Sequence, residues 1–360
     1  MLFLDAAHVP LVCCRVGTRG VNMTVTEIAK RAGVSIGTVD RVLHNRGRVS
    51  EETRERIQRI IDESGYQPNA LARHLKRNRD YRIGVLIPEL DKESRYWNLL
   101  YNGILRAVSE LSAFSFRPEL FQFVRPDRNS LADAFDRMAA SDCAAYIIAP
   151  VIQEDILVHL NELDNGVPYA FIDTALPGAV PLTTVAQNPR RAGFLAGRLM
   201  ELLGKTGGTY AVLKPYSEAW NLNERARGFI DWFRGKDGFR LIDLVCSELR
   251  MDDAYRMLDD VFRSTDDLKG IFAVSSIGHL IASHVVKRGM KEKISIIGYD
   301  LVDENVRLLR DGAIDCLISQ RPEEQGRLVI QQIYRKIVLE EEPVQSIEMP
   351  FDIYFRENLP

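Results

Sequence analysis

From residue 82 onward the chain repeats one pattern, a short and almost wholly apolar run followed by an amphipathic stretch at helical spacing. The runs are RIGVLI (82–87), AAYIIA (144–149), YAFID (169–173), TYAVL (209–213), GIFAV (270–274) and ISIIGYD (294–300). A strand covered on one face alternates apolar with polar residues, whereas a strand covered on both faces is apolar throughout. These runs therefore predict parallel strands with helices on both sides. The stretches 97–111, 189–203, 222–234, 277–288 and 322–339 supply the helices. Such alternation predicts a doubly wound α/β body. Ligands of such sheets bind at the carboxyl ends of the strands, so residues just after the runs become the binding candidates.

Residues 24–66 follow a different pattern. Thr24 and Glu27 form a capping box, Ile28, Ala29 and Ala32 repeat at helical spacing, and Gly33 suits a left-handed turn. Ser35 caps a second predicted helix that buries Val39, Val42 and Leu43 and turns Ile36, Gly37, Asp40, Arg41 and His44 outward. Ser50 starts a third, with Glu51 and Glu52 in its first turn, Ile57, Ile60 and Ile61 inward, and Gly65 at its end. Three short helices with a Gly-containing first turn match a DNA-reading helix-turn-helix. Periodicity by itself leaves a plain three-helix bundle open.

Charge separates the same two regions. The net charge of -3 conceals 13 Lys and Arg against 8 Asp and Glu in residues 24–82, a local +5, with +1 before them and -9 after. A small basic head on a large acidic body points to a polyanionic partner for the head, or else to a solvated helix face.

Several classes are set aside. Every apolar run is interrupted by charge well before the ~18 residues of a membrane span. Five cysteines (Cys13, Cys14, Cys143, Cys246, Cys316) without a C-x-x-C pair suggest neither a disulfide framework nor a zinc site, and point to a reducing cytoplasm. Residues 1–22 lack the basic start of a secretion signal, and Asp5, His8 and Pro10 break the apolar stretch. They are expected to be a leader that is disordered or not translated, the alternative being that the natural chain begins at Met23. No dinucleotide, Walker, nucleophile-elbow or H-E-x-x-H motif occurs, so no catalytic residue, cofactor or metal is expected. His279 and His284, five apart on one helix, are expected to be structural.

The sequence 24–76 resembles, over its whole length, the DNA-binding head of the lactose-repressor (LacI/GalR) family. The matching segments are AGVS (32–35), TV-x-RVL (38–43), VSEETRERI (49–57) and GYQPNALAR-x-L (65–75). The resemblance implies that the second helix lies in the major groove and that residues 69–76 form a hinge helix ordering on the operator. DNA contacts are then expected from Thr24, Ser35, Ile36, Gly37, Thr38, Asp40, Arg41 and His44, and from Asn69, Ala72, Arg73, Leu75 and Lys76 in the hinge. Asp40 and Gly37 depart from the family, which often has Ser and a larger polar residue there. Arg41 suits a bidentate contact to guanine.

Residues 82 to about 355 are similar to the periplasmic sugar-binding fold that forms the body of this family, its ribose-binding branch above all. That similarity implies effector contacts from Tyr96, Trp97, Asp173, Asn223, Ser275, Asp300 and Gln320, of which Asn223 and Ser275 depart from the usual Arg and Asn. The expected organisation is a head at 23–68, a hinge helix and linker at 69–81, and a two-lobed body at 82–360. The lobes are expected near 82–184 with 318–343, and near 185–317 with 344–360. The expected protein is a cytoplasmic homodimeric regulator on palindromic operator DNA, controlled by a small carbohydrate. A secreted sugar-binding protein or a sugar-active enzyme, each with an accidental N-terminal resemblance, are the alternatives.

Overall fold

The computed structural model describes residues 23–43, 46–66, 80–92, 95–125, 127–163, 166–204, 207–245 and 251–359, and the chain forms two compact units, 1–70 and 71–360. The first unit contains α1 (Val25–Ala32), α2 (Ile36–Leu43) and α3 (Glu51–Ser64). Ile28, Ala29, Ala32, Val39, Val42 and Ile57 make its core, with Leu43, Ile60 and Ile61 packed against them. Gly33 and Gly65 close α1 and α3 in left-handed conformation, at φ +65° and +60°, where a side chain would be strained.

The second unit is built on two six-stranded sheets. The first comprises β1 (Tyr81–Pro88), β2 (Phe116–Phe123), β3 (Ala145–Ile148), β4 (Tyr169–Asp173), β5 (Thr184–Ala186) and β11 (Ser346–Glu348), in the order β11-β5-β4-β3-β1-β2 and parallel throughout. The second comprises β6 (Gly208–Lys214), β7 (Phe239–Val245), β8 (Leu268–Ala273), β9 (Ser295–Tyr299), β10 (Cys316–Ser319) and β12 (Asp352–Tyr354), in the order β12-β10-β9-β8-β6-β7. Only β12 is antiparallel there. The helices are α4 (Tyr96–Glu110), α5 (Arg128–Ala139), α6 (Gln153–Glu162), α7 (Pro189–Gly204), α8 (Trp220–Phe233), α9 (Met251–Ser264), α10 (Gly278–Lys287), α11 (Asp303–Arg310) and α12 (Pro322–Tyr334).

The apolar runs are central strands because each feeds two cores. Along β6, Tyr210 and Val212 enter the layer holding Ala192, Ala196 and Phe229, while Ala211 and Leu213 enter the layer holding Ile281, Val285 and Leu309. Successive side chains of a strand point to opposite faces, so both faces require apolar residues. Helices α4 and α12 meet at backbone distance: a Cβ on Gly103 would lie 1.9 Å from the Glu323 carbonyl oxygen.

Two expectations need correction. Six strands are absent from the predicted set: the edge strands β2 and β7 carry an alternating pattern and, in β2, Pro118, while β5, β10, β11 and β12 run only three or four residues and leave too short an apolar signal. The lobe boundaries also shift. Ile318 and Ser319 end β10 in the second sheet, and residues 344–360 divide between the sheets, since β11 pairs with β5 and β12 with β10. The chain therefore passes between the lobes at 187–188, 320–321 and 349–351.

Candidate binding cavity and nucleic-acid interface

In the first unit the Thr24 hydroxyl accepts from the Glu27 N–H at 3.3 Å, and the Glu27 carboxylate accepts from the Thr24 N–H at 2.6 Å. The Thr24 N–H, with the Thr24 hydroxyl donating at 2.8 Å, holds the Glu27 carboxyl below its usual range. The Ser35 hydroxyl accepts from the Thr38 N–H at 3.2 Å and begins α2. With Val39 and Val42 turned into the core, Ile36, Gly37, Asp40 and Arg41 lie exposed along the opposite side, as helical phase requires. Ile36 leaves half its surface in solvent. Of the other expected DNA contacts, His44, Asn69, Ala72, Arg73, Leu75 and Lys76 lie outside the described residues.

In the second unit the carboxyl ends of both sheets line one cavity, with Tyr96, Trp97, Arg125 and Asp173 on the first-sheet side. Pro215, Tyr216, Asn221, Leu222, Arg225, Ser275, Ser276 and Asp300 come from the second, and Gln320 from a crossing. Six of the seven residues expected from the sequence meet there. Asn223 does not: its amide donates to the Ser217 carbonyl at 2.7 Å, and Arg225 on the same helix takes the cavity position. Helical phase explains the correction. The buried face of α8 runs through Asn221, Leu222, Arg225, Ala226 and Phe229, and Asn223 is about 200° around the helix from Arg225. An arginine in phase with an apolar stripe is the signal that marks it in the sequence. Arg125 and Tyr216 also went unanticipated. They follow β2 and β6, and the Arg125 guanidinium stacks 4.4 Å from the Tyr216 ring centre, across the two lobes.

The lining is a buried ionic network. Asp173 accepts from the Tyr96 hydroxyl at 2.7 Å and from the Asn221 amide at 3.0 Å. Tyr96 thus contributes its hydroxyl as well as its ring, which meets Trp97 edge to face. Asp300 accepts from the backbone and side-chain N–H groups of Gln320 at 3.3 and 3.2 Å. Arg225 donates to Gln320 at 2.8 Å and to the Val274 carbonyl at 3.0 Å, and lies 3.9 Å from the Tyr299 ring centre. Burial works against the Arg225 charge, but Tyr299, Asp300 and Asp173 outweigh it and keep the guanidinium ionised. Burial pushes the Asp300 carboxyl up to about 7, even with Arg225 and Gln320 pulling it down. Burial likewise raises the Tyr96 phenol, helped by Asp173 and Asp300.

Asp173 and Asp300 both have left-handed backbones, held by buried amides. The Asp173 N–H donates to Gln325, and Asn305 donates to the carbonyls of Tyr299, Asp300 and Ser276. Among the described residues, Arg225 Nε and Ser275 Oγ are buried cavity atoms with no hydrogen-bond partner. A buried donor left unpaired costs about 1–3 kcal/mol, a cost that an oxygen atom brought into the cavity would relieve. The cavity measures about 40 Å³, room for one or two waters. A sugar ring is larger than this space. His279 and His284 have protein partners in the Ser276 carbonyl at 3.0 Å and Asp259 at 2.7 Å. No group of metal ligands occurs among the described residues, and no described helix is long and apolar enough to cross a membrane.

Comparison with known proteins matches residues 24–69 to the bacterial regulatory proteins of the lacI family and residues 83–341 to a periplasmic binding protein domain. The HTH-type transcriptional repressor PurR of Erwinia tasmaniensis is 26% identical over 333 residues, 91% of this chain and 94% of that one. The ribose operon repressor of Halalkalibacterium halodurans is 24% identical over 292 residues, 77% of this chain and 80% of that one. Among solved structures, a LacI transcriptional regulator from Bacteroides fragilis superposes with a TM-score of 0.72 at 27% identity, covering 78% of this chain and 98% of the other.

Proposed function

The chain belongs to the lacI family of bacterial regulatory proteins, a DNA-binding regulator with a ligand-controlled periplasmic-binding-protein body, and we propose that its effector is a sugar or sugar derivative held between the strand ends of the two lobes. The observation that carries the proposal is the cavity itself: buried Asp173, Asp300, Arg225 and Gln320 beside Tyr96 and Trp97, with Arg225 Nε and Ser275 Oγ unpartnered. Vicinal hydroxyls both donate to carboxylates and accept from guanidinium, and the C–H face of a sugar ring lies against aromatic rings. The ribose operon repressor among the relatives supports the same chemistry.

Operator recognition falls to the exposed side of α2, Ile36, Gly37, Asp40 and Arg41, with Thr24, Ser35 and Thr38 at the helix starts against phosphate. A helix-turn-helix reads one half-site, so the protein acts as a homodimer on palindromic DNA, in the cytoplasm, as a sensor and not an enzyme. The test is calorimetry of the full chain against a panel of pentoses, hexoses and their phosphates, followed by operator affinity with and without the binder. Saturable binding of one sugar that shifts operator affinity is expected. Exclusive binding of a purine or an amino acid overturns the carbohydrate assignment.

A further inference from the structure

Gln187 sits in the first crossing between lobes, and its side chain reaches the other two. Its amide Nε2 donates to the Ser319 carbonyl at 3.3 Å, where the second crossing begins, and to the Pro350 carbonyl at 2.9 Å, in the third. Its Oε1 accepts from the Tyr299 hydroxyl. Gln187 is 4% exposed and Tyr299 fully buried, so water offers neither a ready substitute partner. Three chain passes separated by up to 163 residues are thus joined on one amide.

The same tyrosine lies behind the cavity wall, under Arg225. Its ring carries the Arg225 guanidinium, which donates to Gln320, and Gln320 both donates to Asp300 and forms the second crossing. A continuous buried chain of polar contacts runs Asp300, Gln320, Arg225, Tyr299, Gln187. Gln325 fastens the middle crossing to the first lobe, donating to the Gln320 carbonyl at 3.0 Å while accepting from the Asp173 N–H at 3.1 Å.

We propose that Gln187 is a positioning residue, the shared fulcrum through which the three crossings turn together, and that Tyr299 couples it to occupancy of the cavity. The inference rests on the effector reading for its second half only. A ligand oxygen on Arg225 Nε fixes the guanidinium over Tyr299, and Tyr299 in turn holds the Gln187 amide against both carbonyls. Without the amide, the three passes have no common tie and the lobes rotate less cooperatively.

The test uses amide hydrogen exchange on the ligand-free full chain, comparing wild type with Gln187→Met, which keeps length without polar atoms, and Tyr299→Phe, which keeps the ring under Arg225. Loss of the three hydrogen bonds of the amide predicts roughly tenfold or greater acceleration at 318–321 and 349–353 together in Gln187→Met. A smaller change of the same pattern is expected in Tyr299→Phe, with β3 and β8 unchanged in both. Acceleration confined to residues near 187, or spread uniformly through the sheets, overturns the fulcrum. A second measurement titrates both variants with D-ribose and scores operator affinity. Near-wild-type sugar affinity with a weakened operator response supports the coupling, and an undiminished response overturns it. If wild type itself ignores D-ribose, that sugar is excluded as effector while the exchange result still decides the fulcrum.

Discussion

Asp173 and Asp300 are one corner built twice. Asp173 ends β4 and Asp300 follows β9, each strand third in the order of its sheet; both residues are buried, and both have left-handed backbone, at φ +70° and +61°. A residue with a Cβ in this region is strained by about 1–2 kcal/mol, which aspartate and asparagine tolerate best through local hydrogen bonding. Asp173→Asn and Asp173→Ala both give up the carboxylate that accepts from Tyr96 and Asn221, and Asp173→Ala, which also lacks the local hydrogen bonding, is expected to lose about 1–2 kcal/mol more than Asp173→Asn, read as a shift in urea midpoint. Equal midpoints would show that the corner is unstrained.

The Asp300 carboxyl gives the protein a pH dependence of calculable direction. Its ordinary value is 3.8 and burial lifts it to about 7, so between those values the folded state holds a proton that the unfolded state has released. Its contribution to stability accordingly falls as pH rises from about 4 to about 7, then stays level. The stability of Asp300→Asn relative to wild type is expected to increase across that window, measured by urea unfolding at pH 5 and pH 8. Parallel behaviour of the two proteins would place the carboxyl back in the ordinary range. An effector hydroxyl donating to the ionised form binds more tightly up to pH 7 and no more tightly above it.

Arg225 neutralises the cavity. Removing one member of a buried ionic cluster leaves its counter-charges uncompensated, typically at about 3–5 kcal/mol. Arg225→Met is expected to lose stability of that order at pH 8, where Asp300 is ionised, and less at pH 5, where it is protonated. A loss independent of pH would assign the effect to packing against Tyr299 instead.

On the DNA head, Arg41→Ala is expected to flatten the preference at one operator position in each half-site, worth about 1–3 kcal/mol there. Competition between single-base operator variants measures it. A uniform loss on every sequence would place Arg41 on phosphate.

The capping box offers an independent check on the head. Thr24→Ala removes the oxygen that accepts from Glu27 N–H and is expected to lower the head's stability by about 1 kcal/mol. Urea unfolding followed by far-ultraviolet dichroism reads the loss, and an unchanged midpoint would show that the Glu27 half of the box suffices.

Local signals carried the reading of the sequence as far as they reach. The cap at Thr24, the turn at Gly33 and the stripes through Val39 and Ile57 concern residues three or four apart, and their helices follow from backbone geometry and burial within one segment. Six of the eight interior strands, β1, β3, β4, β6, β8 and β9, are legible for the same reason, since covering both faces leaves an unbroken apolar run, whereas β5 and β10 are only three and four residues long. Tyr96, Trp97, Asp173, Ser275, Asp300 and Gln320 are found because each stands at or just beyond a strand end, or in a motif resembling the family's. Arg225 was within reach of helical phase alone. The partnerships are a different matter. That Arg125 stacks on Tyr216, that Asn221 serves Asp173, and that Gln187 joins Ser319 and Pro350 depends on the order of strands in two sheets and on three passes between them. No periodicity encodes a contact 163 residues away. Such contacts form only once loop closure has brought the strand ends together, so the tertiary structure decided them.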